Sequence, residues 1–318
     1  MDDDRQTNNH VEKASPDELL TAPLTLSQMF WRRFKRHKMA MFGVVVLILL
    51  FLYAVVGALI LPESYANYND TSIRLLPPGP EHPFGTDTIG RDILARTIYG
   101  GQISLLIGIT AALIETFIGV LVGALAGYYG GVVDGILMRV TEAMLSIPQL
   151  FILLVMAKYF GGKIPNIEFL GRSFSGSVIV IVVIIGITSW MYVARIVRAE
   201  FLSRKENEFV LAARVTGTPQ AQIIVRHILP NCFAPIVVSA TLGVANAITS
   251  EAYISFLGMG VQPPTATWGN MLDGAYNYIE LAPWLWIFPG LLIVLTVLSI
   301  NFIGDGLRDA LDPHSRTM

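Results

Sequence analysis

The stretch EFVLAARVTGTPQAQIIVRHILPN, residues 208–231, lies between two long apolar runs, residues 178–197 and 233–258, and it carries charges through its whole length. It is too polar for hydrocarbon and too long for a plain connection, since most connections in compact domains span about 4–6 residues. The apolar positions Phe209, Val210, Ala213 and Val215 predict a helix, and Gly217 supplies the left-handed residue that ends it. Thr218 is placed to cap a second helix and Pro219 to open it, where the missing proline N–H has no intrahelical acceptor to lose. That second helix is expected to end near Pro230. Ala212 and Ala213 leave the first arm thin on one side, so that another backbone can come close. A helical elbow is therefore expected to stand in water between two membrane spans.

The flanks fix the fold class. A helix crossing the membrane needs about 20 mostly apolar residues, because unpaired backbone groups in lipid are costly. Six stretches of the 318-residue chain qualify: residues 39–61, 103–128, 136–159, 178–197, 233–258 and 284–302. The chain is 53% hydrophobic and only 14% charged, where soluble domains carry about 25% charged residues. The expected fold is an all-α, polytopic membrane protein with six transmembrane helices. Placing the N-terminus inside puts 16 of the 22 Lys and Arg residues, including those of WRRFKRHK (residues 31–38), on the cytoplasmic side, as the bias of basic residues requires. Both termini are then cytoplasmic, and the elbow belongs to a cytoplasmic loop, residues 198–232, between spans four and five.

The expected organisation is a polar cytoplasmic tail over residues 1–30, a first span with an extracytoplasmic loop over 31–102, the main membrane domain over 103–312 and a short tail over 313–318. Residues 1–30 lack the basic start and apolar middle of a signal peptide, so the first apolar run is expected to remain as a span. In the outer loop, Asp87 or Thr88 is placed to cap a short amphipathic helix with Ile89, Ile93, Leu94 and Ile98 along one side. Such a helix would lie on the membrane surface or on the protein's own outer face.

Polar residues inside apolar runs are the candidates for transport chemistry. Glu115 sits in the middle of span two, where a charge costs about 2.5–3.5 kcal/mol on insertion scales, so it should face protein or water. It is either a pathway group or a carboxyl that ties helices together. Asn246 and Glu251 share span five but stand five residues apart, about 140° around a helix, and need not share a face. Both are pathway candidates, with Glu251 also placed to brace the outer SFLGMG turn. Gly119, Gly123 and Gly127 form a smooth stripe for close helix packing. Arg139 and Glu142 can pair three residues apart, and Pro148 and Pro289 are expected as kinks within spans. Trp268, Trp284 and Trp286 are expected in the outer aromatic belt.

Several chemistries lack their residues. No G-x-x-x-x-G-K-[ST] phosphate cradle occurs, and no H-E-x-x-H pair or cysteine cluster offers a metal site. No catalytic residue is assigned. The net charge of −2 gives no basic face for nucleic acid. The single cysteine, Cys232, is expected as a small buried hydrophobe.

The AARVTG of residues 212–217, followed twelve residues after Gly217 by Leu229 and Pro230, resembles the cytoplasmic EAA loop of ABC importer permeases. Leu211 and His227 stand where that pattern has Glu and Ile. HPFGTDTIGRDILARTIYGGQISL (82–105), GYYGGVVDGILMR (127–139), RHILPN (226–231) and EAYISFLGMGVQPPTATWG (251–269) look like the dipeptide and oligopeptide group of these permeases, in its shorter, C-type form. Gln102 replaces an expected basic residue there. The resemblance implies a multi-pass protein of a bacterial or archaeal cytoplasmic membrane, with residues 103–312 as the permease domain. It further implies a second homologous permease, one or two ATP-binding subunits that hold ATP and Mg, and an extracytoplasmic substrate-binding protein. No cofactor is then expected in this chain. The elbow residues Glu208, Ala212, Ala213, Arg214 and Gly217 are the expected docking surface for the ATPase. Nickel complexes and oligosaccharides are alternative cargoes in the same family. A self-sufficient channel or secondary transporter is the rival class, with Glu115 as its central ion or proton site.

Overall fold

The computed structural model describes residues 25–169 and 172–312. Residues 1–24 of the expected polar tail and the whole tail 313–318 lie outside the described residues. Helix α1 (Leu26–Arg36) begins inside the segment expected to be tail, because Thr25 and Gln28 form a capping box that satisfies free amides at its start. His37 separates it from α2 (Lys38–Ile60) and caps the latter, its ring Nδ1 accepting from the Ala40 amide at 3.0 Å. The short α3 (Glu63–Asn67) and an outer loop lead into α4 (Ile93–Tyr129). Next come α5 (Gly131–Leu145), α6 (Gln149–Phe160) and a small antiparallel hairpin of β1 (Ile167–Phe169) and β2 (Arg172–Phe174), with Glu168 opposite Ser173. Helices α7 (Ser177–Ser189), α8 (Met191–Arg204), α9 (Glu208–Val215), α10 (Gln220–Gln222), α11 (Phe233–Phe256) and α12 (Trp284–Leu311) complete the chain. Apart from the hairpin, the expected all-α architecture holds among the described residues.

Four helical runs are long and apolar enough to span a membrane: α2, α4, the run Gln220–Phe256 and α12. Two bent pairs, α5 with α6 at 81° and α7 with α8 at 41°, are long and apolar enough only when each pair is taken together, which brings the candidate spans from four to six. The first bend is a full break at Ser146 to Pro148, where proline has no amide to donate and stands as the N-terminal flank of α6. Pro289, by contrast, is absorbed within α12.

The outer-loop expectation is overturned. Residues 93–98 do not form a separate surface helix; they are the first turns of α4, whose cap is Asp92, accepting from the Ala95 amide at 2.7 Å. Asp87 is spent on a tight turn, accepting from the amides of Ile89 and Arg91. Gly100 and Gly101 do not interrupt α4 but let the backbone of Thr267 and the ring of Trp268 lie directly on it. The tryptophan expectation is corrected with it. Trp268 is fully buried, its Nε1 donating to the Thr97 carbonyl at 2.9 Å, and Trp284 Nε1 donates to the Thr86 carbonyl at 3.1 Å. Of these three, only Trp286 is exposed as a belt residue would be.

Helix α4 is the central post. Its glycine stripe faces α8: a Cβ on Gly123 would stand 2.5 Å from the Ala194 carbonyl oxygen, and one on Gly127 would stand 2.5 Å from the Phe201 Cβ. Helix α2 packs on α12 through Gly43, set against the Ser299 carbonyl. Its other side presents Phe42, Leu49, Phe51 and Leu59 outward. An apolar surface of that kind is what a span facing lipid carries.

Candidate functional site: an elbow and a polar cavity

The elbow forms as a helix with a defined stop. At its end the Gly217 amide donates to the Arg214 carbonyl and the Thr218 amide to the Ala213 carbonyl, both at 3.0 Å, with Gly217 at φ +76°. This closed turn satisfies the last free carbonyls and requires a left-handed residue. Thr218 does not cap the following arm, whose flanking residue is Pro219. Nor does that arm end at Pro230. Gln220–Gln222 continues through a wide π turn at Ile223–Ile228 and a tight turn at Leu229–Cys232 into α11, making one 37-residue helical run from the elbow to the far end of the bundle. Proline is tolerated there because local π and 3₁₀ geometry absorbs the missing donor.

One apolar cluster roots the elbow in the bundle. Val210 and Ala213, three residues apart on α9, pack with Ala124 and Tyr128 of α4, Val197 and Phe201 of α8, and Ile223, Ile228 and Cys232 of the second arm. Ala213 therefore turns inward, and the expectation that it shares an open docking face with Ala212 is corrected: only Ala212 is exposed. Arg214 lies over the Tyr128 ring at 5.8 Å, a cation–π distance that ties α9 to the end of α4. On the opposite face Glu208, Leu211, Ala212 and Val215 form a stripe at helical spacing, all exposed, with Val215 at 90%. Gly217 stands at the tip with no atom near enough to touch an added Cβ. Beside the elbow, Arg198 of α8 forks onto Asp134 of α5, Nη2 to Oδ2 at 2.6 Å, a bidentate ion pair. Arg139 and Glu142 stand 3.6 Å apart on the surface of α5.

The second feature is a cavity of about 440 Å³ opening among α4, α6, α8 and α11. Glu115 and Asn246 both line it, so the structure brings these two candidates together. Glu115 is 5% exposed, and its Oε2 has no hydrogen-bond partner. Gly243 of α11 faces the carboxylate closely; a Cβ there would lie 3.4 Å from both oxygens. Glu251 is not in the cavity. It is fully buried on the other side of α11, accepting from Ser255 Oγ at 2.6 Å and Thr267 Oγ1 at 2.7 Å, and so braces the outer turn. The remaining lining was not singled out from sequence: Gln149, whose Nε2 donates to Ser189 Oγ at 2.8 Å, and Ser239, Thr249, Ser250 and Tyr253 of α11. A signal was available, since positions 239, 242, 246, 249, 250 and 253 trace one helical stripe. The lining offers hydroxyls, amides and one carboxylate to a passing polar solute. It holds no grouping of three or more His, Cys, Asp or Glu side chains suited to a metal among the described residues.

Comparison with known proteins agrees with this architecture. The family model for the binding-protein-dependent transport system inner membrane component matches residues 119–317, and a second model, the N-terminal TM domain of oligopeptide transport permease C, matches residues 25–78. The dipeptide transport system permease protein DppC of Bacillus subtilis is 39% identical over 309 residues, covering 97% of this chain and 92% of its own length. The oligopeptide transport system permease protein OppC of Haemophilus influenzae is 41% identical, covering 90% of this chain and 88% of its own. Among solved structures, the inward-facing MetNI methionine ABC transporter matches with a TM-score of 0.53 at 20% identity, over 68% of this chain and 96% of that one, which is a likeness of fold. The elbow, the broken spans and both sequence matches lead to one assignment: this multi-pass chain belongs to the family of inner membrane components of binding-protein-dependent transport systems.

Proposed function

We propose that the chain is the transmembrane permease subunit of an ATP-driven, binding-protein-dependent importer for di- or oligopeptides. In this reading ATP and Mg are held by one or two partner subunits, a second homologous permease completes the pathway, and an extracytoplasmic binding protein delivers the cargo. Both termini and the elbow lie on the cytoplasmic side. Peptide cargo is supported by the relatives, which are dipeptide and oligopeptide permeases at about 40% identity.

The observation that carries the reading is the elbow's outer stripe. Leu211, Ala212 and Val215 are apolar yet exposed, beside Glu208, on a helix whose other face is locked into the ends of α4, α8 and the second arm. Apolar side chains set in water on a rigid mount are what a partner's groove would bury. A push on α9 moves three helices at once, because close-packed interiors transmit displacement. Glu115 and Asn246 then lie along the cargo's route through the cavity.

The test is Val215→Asp in the assembled complex. A charge at this 90% exposed site leaves the chain folded but is expected to abolish capture of the ATPase subunits and peptide uptake together. Normal uptake would overturn the docking assignment. Reconstitution of the chain alone addresses the rival class: transport without an ATPase would establish a self-sufficient carrier.

A further inference from the structure

At the end of the bundle opposite the elbow lies a half-open pocket of about 230 Å³, bordered by Asp87, Arg91, Arg96, Asn270, Asp273 and Tyr278. Arg96 stands in the first turns of α4 and is 4% exposed. Its Nη1 has no hydrogen-bond partner, and no carboxylate among the described residues lies within ion-pairing distance of it. A guanidinium does not shed its proton in a protein, so this is a buried, uncompensated cation, an arrangement that folded proteins normally avoid. The neighbouring charges do not relieve it. Arg91 and Asp87 are spent on each other, Nε to Oδ2 at 2.6 Å. Asn270 is likewise committed, its Nδ2 to the Val261 and Thr265 carbonyls and its Oδ1 to the Thr267 amide. One positive charge is left over inside, and Asp273 stands exposed on the border.

From this imbalance we infer that the pocket is a binding site for a single carboxylate, which the Arg96 guanidinium grips. A monoanion matches the one spare charge, whereas a dianionic phosphate would exceed it and meet added repulsion from Asp273. The volume lies below the range of about 300–1,000 Å³ typical of small-molecule sites, so it admits a group the size of an acidic side chain and excludes a whole peptide. Planar guanidinium and planar carboxylate suit a two-pronged grip. The carboxylate comes either from a small free acid or from an Asp or Glu side chain of the extracytoplasmic binding protein seated on this face. The second source rests on the importer reading; the pocket's chemistry does not.

The experiment uses the full complex in lipid nanodiscs and acetate as the probe, followed by saturation-transfer NMR. Wild type is expected to bind acetate, Arg96→Gln to bind it about tenfold or more weakly, and Asp273→Asn, which removes a repulsive charge from an exposed position, to bind it several-fold more tightly. No binding by wild type, or equal binding by Arg96→Gln, overturns the site. Should Arg96→Gln fail to assemble, Asp273→Asn decides alone, since general damage does not tighten binding and an unchanged affinity overturns the inference. Titrating the extracytoplasmic protein onto the same complexes identifies the source. Docking weakened by excess acetate in wild type but not in Arg96→Gln assigns the pocket to the partner's side chain. Docking indifferent to both, with acetate still bound, assigns it to a free acid and leaves the importer reading untouched.

Discussion

At the elbow end, Tyr128, Val197, Phe201, Val210, Ala213, Ile223 and Ile228 meet in an apolar cluster. At the opposite end α4 and α11 are knitted to the loops, α3 and the hairpin by directional polar bonds, some buried and some half-buried: Trp268 to the Thr97 carbonyl and Ser104, Glu251 to Ser255 and Thr267, His82 to Asp92, and Arg172 to both Glu63 and Gln102. Apolar contact has no preferred direction and scales with area, so the elbow end carries its helices together without fixing the direction in which they move. Directional bonds restrict geometry more tightly than apolar contact does, and although Glu251 Oε2 and Arg96 Nη1 lack partners there, this end is the stiffer frame. A transporter that is driven from one side needs that division of labour.

Four substitutions test the contrast, beginning with the most damaging. Gly123→Leu places a side chain against the Ala194 backbone, which cannot swing aside; overpacking costs about 1–3 kcal/mol and rises where relaxation is blocked. A collapse of thermal stability in detergent is expected, and a mild shift would show the α4–α8 contact to be soft. Glu251→Ala strands the hydroxyls of Ser255 and Thr267 at a cost of about 1–3 kcal/mol, while Glu251→Gln retains an acceptor and should recover much of the loss. Equal melting temperatures for the two would break the picture of an outer frame held by directional bonds. Asp134→Asn removes an ion pair whose members are 17% and 34% exposed, and solvent screening limits the effect to about 1 kcal/mol or less. A double-mutant cycle with Arg198→Gln should show that coupling, and strict additivity would deny it. Val215→Asp is the smallest in stability, within about 0.5 kcal/mol for an exposed position, and by unfolding assays should look like wild type even as uptake fails.

The spans are legible because lipid demands length and apolarity together: four of the six expected runs are single long helices, and the other two are bent pairs. The break at Pro148 was read as a kink, since a sequence shows that a donor is missing but not how far the chain turns to compensate. Residues 93–98 run on into α4 across Gly100 and Gly101, a continuity that depends on Trp268, far along the chain, lying on those glycines. The elbow's first arm and its glycine stop were readable from local turn chemistry. Its second arm is not, because the π turn and the tight turn that together carry the chain past Pro230 pack through Ile223, Ile228 and Cys232 against α8 and α9. Of the candidate residues, Glu115 and Asn246 reach one cavity, while Glu251 and Ala213 turn into the protein. Which side of a helix faces a void is set by neighbours distant in sequence. The unpartnered Nη1 of Arg96 has no signature in sequence, because the absence of a partner exists only in three dimensions.

The unbroken run from Gln220 to Phe256 is 37 residues, about 55 Å of helix at 1.5 Å per residue. Held at its bonded end near Phe256, such an oar moves its handle by about 1 Å per degree, and Asn246, about 15 Å from the held end, by about a quarter as much. A stroke of a few ångströms at the handle would therefore shift Asn246 relative to Glu115 by about one, so the gearing between fuel and cargo is a reduction.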